Sequence, residues 1–262
     1  DVAVNSDLSA GISGGFPVIS YKGKVWHIAD GGNRTMVTNE ESGDPVLSLE
    51  VVLLKANASL SKIYYKDGYE EGSSEKPTCY SHDGVGPALD AQDKQAAKCA
   101  ICPRNIWGSR VTDNGAKGKE CADSKRMAVA PAGDLERAML LRVPAGSLRD
   151  LANYANELTR RGAPYSALVT KIGFDHSVAH PKLTFTPVRW LTDDEGALVQ
   201  DVLGREMVSN ILGTEVGYTP PAGDDSFAAL GERPAAAEKA APKAAAKPKA
   251  KLTSSSQEKQ AE

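Results

Sequence analysis

Residues 147–164, SLRDLANYANELTRRGAP, read as one helix with a marked start and stop. Ser147 with Asp150 makes a capping-box-like opening, Leu148, Leu151, Ala155 and Leu158 fall on one face, and Gly162 followed by Pro164 ends it. Outward on the N-terminal side lie apolar runs with strand character: Phe16 to Ile28 (FPVISYKGKVWHI), Leu47 to Lys55, Leu60 to Tyr65, Met127 to Val129 and Ala138 to Val143 (AMLLRV). The first is split by Lys22-Gly23-Lys24, as a bent strand or a tight hairpin would be. On the C-terminal side come two more strands, Ser166 to Phe174 and Lys182 to Leu191. Thr192 with Glu195 then caps a last helix, whose apolar positions Leu198, Val202, Leu203, Val208, Ile211 and Leu212 end at Gly213.

With the cysteine segment taken as an arm inserted before the third strand, the order reads as three strands, a helix and two strands, and it predicts a mainly β α+β fold. The expected architecture is a five-stranded OB-like barrel whose helix plugs the bottom, followed by a C-terminal helix and a disordered tail. Expected boundaries are a flexible N-terminus over 1–15, the OB-like domain over 16–218 with an inserted metal-binding arm at 77–126, and a disordered tail over 219–262. The tail reading rests on Pro234 to Glu262, Ala/Lys/Pro-rich with a Ser254-Ser255-Ser256 run, which cannot bury a core. Trp26 and Trp190, inside apolar runs, are assigned to the core. No run reaches the roughly 20 apolar residues of a membrane span. With no secretory segment read at the start, a cytoplasmic location is expected.

Four cysteines, Cys79, Cys99, Cys102 and Cys121, are spaced C-x19-C-x2-C-x18-C. A C-x2-C pair at a tight turn converges two thiolates on one ion, and two more complete a tetrahedral S4 shell that suits one structural zinc. An iron–sulfur cluster takes the same four ligands, and two disulfides are the blander alternative. His82, three residues after Cys79, is placed beside the ligands rather than among them. From Lys94 to Arg126 the bases Lys94, Lys98, Arg104, Arg110, Lys117, Lys119, Lys125 and Arg126 face Asp113, Glu120 and Asp123, so the cysteine segment reads as a basic patch within a chain of net charge -3.

Catalytic signals are thin. Asp193-Asp194-Glu195 suits the first turn of a helix better than a divalent-metal cluster. Gly115-x2-Gly118-Lys119-Glu120 lacks P-loop spacing, and His176 and His180 fall in a turn between strands. The chain is therefore read as a non-enzyme.

The run Cys99-x2-Cys102-Pro103-x-Asn105-x-Trp107-Gly108-Ser109, with Lys117-Gly118-Lys119-x-Cys121 after it and Pro77-Thr78-Cys79-x-Ser81-x-Asp83-Gly84 before it, resembles a group of bacteriophage proteins. With the barrel-like order, it is similar to phage single-stranded DNA-binding proteins that carry a zinc-binding insertion. The resemblance implies a non-catalytic role in phage DNA replication or recombination, with single-stranded DNA, and possible replication or recombination proteins, as partners. Such binders often end in an acidic tail, whereas this tail is basic. The alternative is a nuclease or helicase-associated subunit carrying a four-cysteine iron–sulfur cluster. Single strands are held by aromatic rings stacked on bases and by cations on phosphates. The candidates are Tyr64, Tyr65 and Tyr69 beside Lys62 and Lys66; Trp107 between Arg104 and Arg110; Lys117 and Lys119; and Phe174 with Lys171. One of Tyr64 and Tyr65 is expected in the core because adjacent strand residues face opposite ways, and Trp107 is expected against the metal site.

Overall fold

The computed structural model describes residues 15–30, 33–68, 76–111, 115 and 117–213. The N-terminal stretch before Gly15, Tyr69 and the tail over 219–262 lie outside the described residues. The strands are β1 (Val18–Lys22), β2 (Val25–Asp30), β3 (Asn33–Met36), β4 (Ser48–Ala56), β5 (Ser61–Tyr64), β6 (Cys79–Ser81), β7 (Arg110–Val111), β8 (Lys117–Gly118), β9 (Ala122–Pro131), β10 (Met139–Pro144), β11 (Leu168–Phe174) and β12 (Leu183–Trp190). The α-helices are α1 (Leu148–Arg160), α2 (Asp193–Leu203) and α3 (Glu206–Leu212). The fold is mixed α+β, dominated by strands.

The main sheet runs β12-β11-β4-β9-β10-β1-β2-β3, with β5 pairing β9 beyond the end of β4, and β6 pairing β5. Its neighbours are antiparallel except β1 with β10. The sheet is open, with β12 and β3 at its two ends, and this corrects the expected five-stranded closed barrel. The physical reason lies in the strands themselves. Along β4, Val51 and Leu53 enter one apolar cluster while Val52 and Leu54 enter another on the opposite face. In β9, Met127 and Val129 divide from Ala128 and Ala130 in the same way. Continuous apolar runs of this kind belong to a sheet covered on both sides, whereas a small barrel buries one face.

One cover is α1, which lies on the sheet face instead of plugging a barrel. Tyr154 and Leu158 are buried against the cluster of Val51, Val129 and Leu141, and the Tyr154 hydroxyl is 2.7 Å from Thr170 Oγ1. Ser147 does not cap its helix; its Oγ accepts the Leu183 N–H at 2.8 Å and ties the helix start to β12. The other cover is the expected last helix, which breaks at Gly204 into α2 and α3. The Thr192–Glu195 capping box opens α2, and Val199, Val202, Val208 and Ile211 close over Val52, Leu54, Ala128 and Leu140.

Lys22 pairs Val25 across a two-residue turn in which Gly23 takes φ +60°, so the Phe16 to Ile28 run is a tight hairpin. Trp26 is fully buried, 4.5 Å from the Phe174 ring. Trp190 is not core; it ends the edge strand β12 just past the bulge at Val188 and is 60% exposed. No helix among the described residues is long and apolar enough to cross a membrane.

Candidate metal centre and nucleic-acid interface

The cysteine segment grows out of the sheet. After β4 the chain detours at Asn57 and rejoins the same edge of β9 as β5, with Ser61 opposite Ser124 and Ile63 opposite Ala122. β6 adds Cys79 opposite Tyr64. Cys99 opens a single 3₁₀ turn, Cys102 sits between that turn and the next at Pro103–Asn105, and Cys121 immediately precedes β9. Backbone bonds draw these pieces together: Cys102 N–H to Cys99 O at 3.3 Å, Asn105 N–H to Cys102 O at 3.0 Å, and Cys121 N–H to Arg104 O at 2.9 Å.

All four cysteines are free thiols, and all four line one small recess with Lys62, Tyr64, Tyr80 and Asn105. It has room for a body about the size of one water molecule. Burial pushes the Cys121 thiol up to about 12, with the neighbouring Cys102, Cys99 and Cys79 adding to the effect. Burial also raises Cys79 and Cys99. Burial thus favours the neutral thiol form, and a thiophilic cation bound among them would be what brings them to thiolates. The Gln95 backbone N–H donates to the Cys79 side chain, and Ser81 bonds that of Cys99. No group of three or more His, Cys, Asp or Glu side chains among the described residues forms a ready-made metal cage. The donor chemistry and enclosure fit a thiophilic ion, and the cysteines stand around the recess without being drawn into a closed shell.

His82, next along the chain from β6, serves a different contact. Its carbonyl accepts from Asn57 Nδ2 at 2.9 Å and Ser61 Oγ at 2.6 Å, and Asn57 Nδ2 also reaches Leu212 O at 2.9 Å. Buried Arg126 donates through Nε to Ile211 O at the end of α3, where a cation suits the helix dipole. Its Nη1 lies 3.1 Å from His82 Nδ1, the acceptor because guanidinium only donates. Burial, then Arg126 and Arg142, push the His82 pKa down to about 2, so its ring is neutral. Arg126 is therefore an internal helix cap and not part of a basic surface. The close packing here needs glycine: a Cβ on Gly84, at φ +72°, would meet the Leu60 carbonyl oxygen at 2.1 Å. Gly84→Ala is expected to cost at least ~1–3 kcal/mol from left-handed backbone alone, read by denaturant unfolding.

The predicted DNA contacts separate into three groups. Tyr64 is 4% exposed, on the recess, with Arg104 over its ring at 5.3 Å; Phe174 is buried between Tyr21 and Trp26. Neither ring can stack on a base, because strand alternation and sheet coverage turn both inward. Tyr65 is half-buried against the small cluster of Ile63, Tyr80 and Ala91. A second group is consumed by internal pairing: Lys62 and Lys119 both bind Asp123, and Arg104 binds Glu120 at 2.6 Å. Lys171 is exposed but sits opposite Glu50, two strands away from β9 near its far end, roughly 30 Å from the recess at ~3.3 Å per strand residue.

The remaining group lies on the arm's surface. Trp107 is 70% exposed, so it does not pack against the metal centre as expected. It leads into the β7–β8 ribbon, closed by Gly108 N–H to Gly118 O at 2.9 Å, on which Arg110 and Lys117 are exposed and without an ion pair among the described residues. Lys66 is exposed as well. Two residues outside the expected ligands and DNA contacts, Asn105 and Asp123, organise the cations. Asn105 Nδ2 donates to Cys99 O at 2.9 Å, while its Oδ1 accepts from Lys62 at 3.1 Å and Lys119 at 3.2 Å. Asp123 carries no local signal, since Lys119 and Asp123 meet in extended chain at the start of β9 and not on a helix, where four-residue spacing would pair them. Comparison with family models, with curated proteins and with solved structures returns no match to this chain.

Proposed function

We propose that this protein binds single-stranded DNA without catalysis, through an arm whose four cysteines hold one structural zinc ion. On the resemblance of its cysteine segment, it serves phage DNA replication or recombination. Zinc there would cross-link Cys79, Cys99, Cys102 and Cys121, giving rigidity to turns that bury few apolar groups of their own. The observation that carries the binding reading is Trp107: a large ring 70% exposed, in a segment whose Arg110 and Lys117 are left to meet phosphates. With Lys62, Lys119 and Arg104 held in ion pairs, that role falls to exposed cations of the arm, Arg110 and Lys117 on the ribbon foremost.

The test is a fluorescence-anisotropy comparison of single-stranded and duplex oligonucleotides at several salt concentrations. Preference for the single strand, with affinity falling as salt rises, is the expected result. Exposed Ile101, Ile106 and Val111 near Trp107 in sequence favour a second reading, a protein-docking wing. Absence of binding to either oligonucleotide would select it.

A further inference from the structure

Two ammonium groups share one carboxylate beside the cysteines. Asp123 takes Lys62 on Oδ1 and Lys119 on Oδ2, and both lysines also donate to the neutral Asn105 side chain. With an ammonium group on each oxygen, the Asp123 carboxylate is fully engaged by the two lysines. The trio carries a surplus of one positive charge. Arg104 and Glu120, the adjacent pair, cancel each other. Of the two lysines, Lys62 lines the recess with the four cysteines, and its side chain is 12% exposed.

Four thiolates around a divalent cation leave a net charge of -2, and in a recess lined by Tyr64 and Tyr80 that charge is poorly solvated. A nearby fixed cation offsets the cost, as outer groups around metal sites commonly do. We infer that Lys62 is the positioning and charge-balancing residue of the four-cysteine metal site, and that its ammonium group is not a phosphate contact. Asn105 completes the device: through Cys99 O on one side and Lys62 on the other, it links the C-x2-C turn to β5. This inference rests on the proposed metal site, and the experiment separates the two.

The full chain and three variants are titrated with zinc against a chromogenic chelator and with cobalt(II) monitored by its thiolate charge-transfer band. Lys62→Met is expected to lower metal affinity about 10–100-fold. Lys62→Arg, which keeps the charge, should recover most of it. Lys119→Met removes a cation from the same carboxylate but not from the recess, and should stay within about threefold of wild type. The salt slope of single-strand binding should not change in metal-loaded Lys62→Met. Wild-type protein that takes up neither metal overturns the site itself. Wild-type uptake with equal affinity in Lys62→Met overturns the role of Lys62 alone. Equal losses in Lys62→Met and Lys119→Met also overturn it, since they would point to the hydrogen-bond network and not to charge at the recess.

Discussion

Cys102→Ser is expected to abolish stoichiometric zinc uptake and to unfold the segment between β6 and β9 while the main sheet survives. Cys102 lies between two single 3₁₀ turns that have no side-chain caps, and the apolar cluster nearest them contains only Ile63, Tyr80 and Ala91 with Tyr65 and Ala88 against it. Such a cluster cannot by itself order a segment of this length against its conformational entropy. Metal-driven folding can, since structural zinc contributes about 10–16 kcal/mol in small zinc modules. The two large clusters on either face of the sheet draw nothing from the turns at 99–105. Hydrogen exchange should therefore accelerate across residues 80–121 and remain slow in β10 and α1. One zinc per chain in wild type, and close to none in the variant, is the elemental analysis that goes with it. Iron in the wild type would move the reading to a cluster, and an unchanged metal content in the variant would remove Cys102 from the site.

On the binding face, Trp107→Ala is expected to weaken single-strand affinity by about 1–3 kcal/mol, roughly 5- to 150-fold, with the salt slope preserved, because stacking releases no counterions. Neutralising Arg110 and Lys117 together should do the reverse in kind. Each lost phosphate contact makes the slope of log affinity against log salt shallower by about 0.7, so the pair should remove about 1.4. Base preference should not move, since phosphate contacts carry no sequence information. Lys171→Ala serves as the control, being two strands from β9 and cross-strand from Glu50. Unchanged affinity and slope in the Trp107 and Arg110/Lys117 variants, with metal and fold intact, would mean that the ribbon does not touch nucleic acid.

Most elements of this fold could be located in the chain alone. Apolar runs at Leu47 to Lys55 and Ala138 to Val143 lie within a residue or two of β4 and β10, and the Gly162-Ala163-Pro164 stop and the Thr192–Glu195 box bound their helices as expected. These signals are local: a cap, a stop and a hydrophobic run act within a few residues. Pairing is not local. Nothing in the sequence of Val18 to Lys22 specifies that it lies parallel to β10, and that one contact carries β2 and β3 outward instead of back toward β4 to close a barrel.

The candidate site divides along the same line. Four cysteines with a C-x2-C pair suffice to nominate the ligands, because metal chemistry depends on residue type and short spacing. Which cations and rings remain available depends on what else each can reach. Lys62 meets Asp123 only because β5 pairs β9, Arg126 is buried only because α3 ends over it, and Phe174 is covered by the β1–β2 hairpin. Residue chemistry and local periodicity thus determined the elements and the thiol set, whereas long-range pairing decided the open sheet and left Trp107, Arg110 and Lys117 at the surface, because burial and charge neutralisation are properties of neighbours in space.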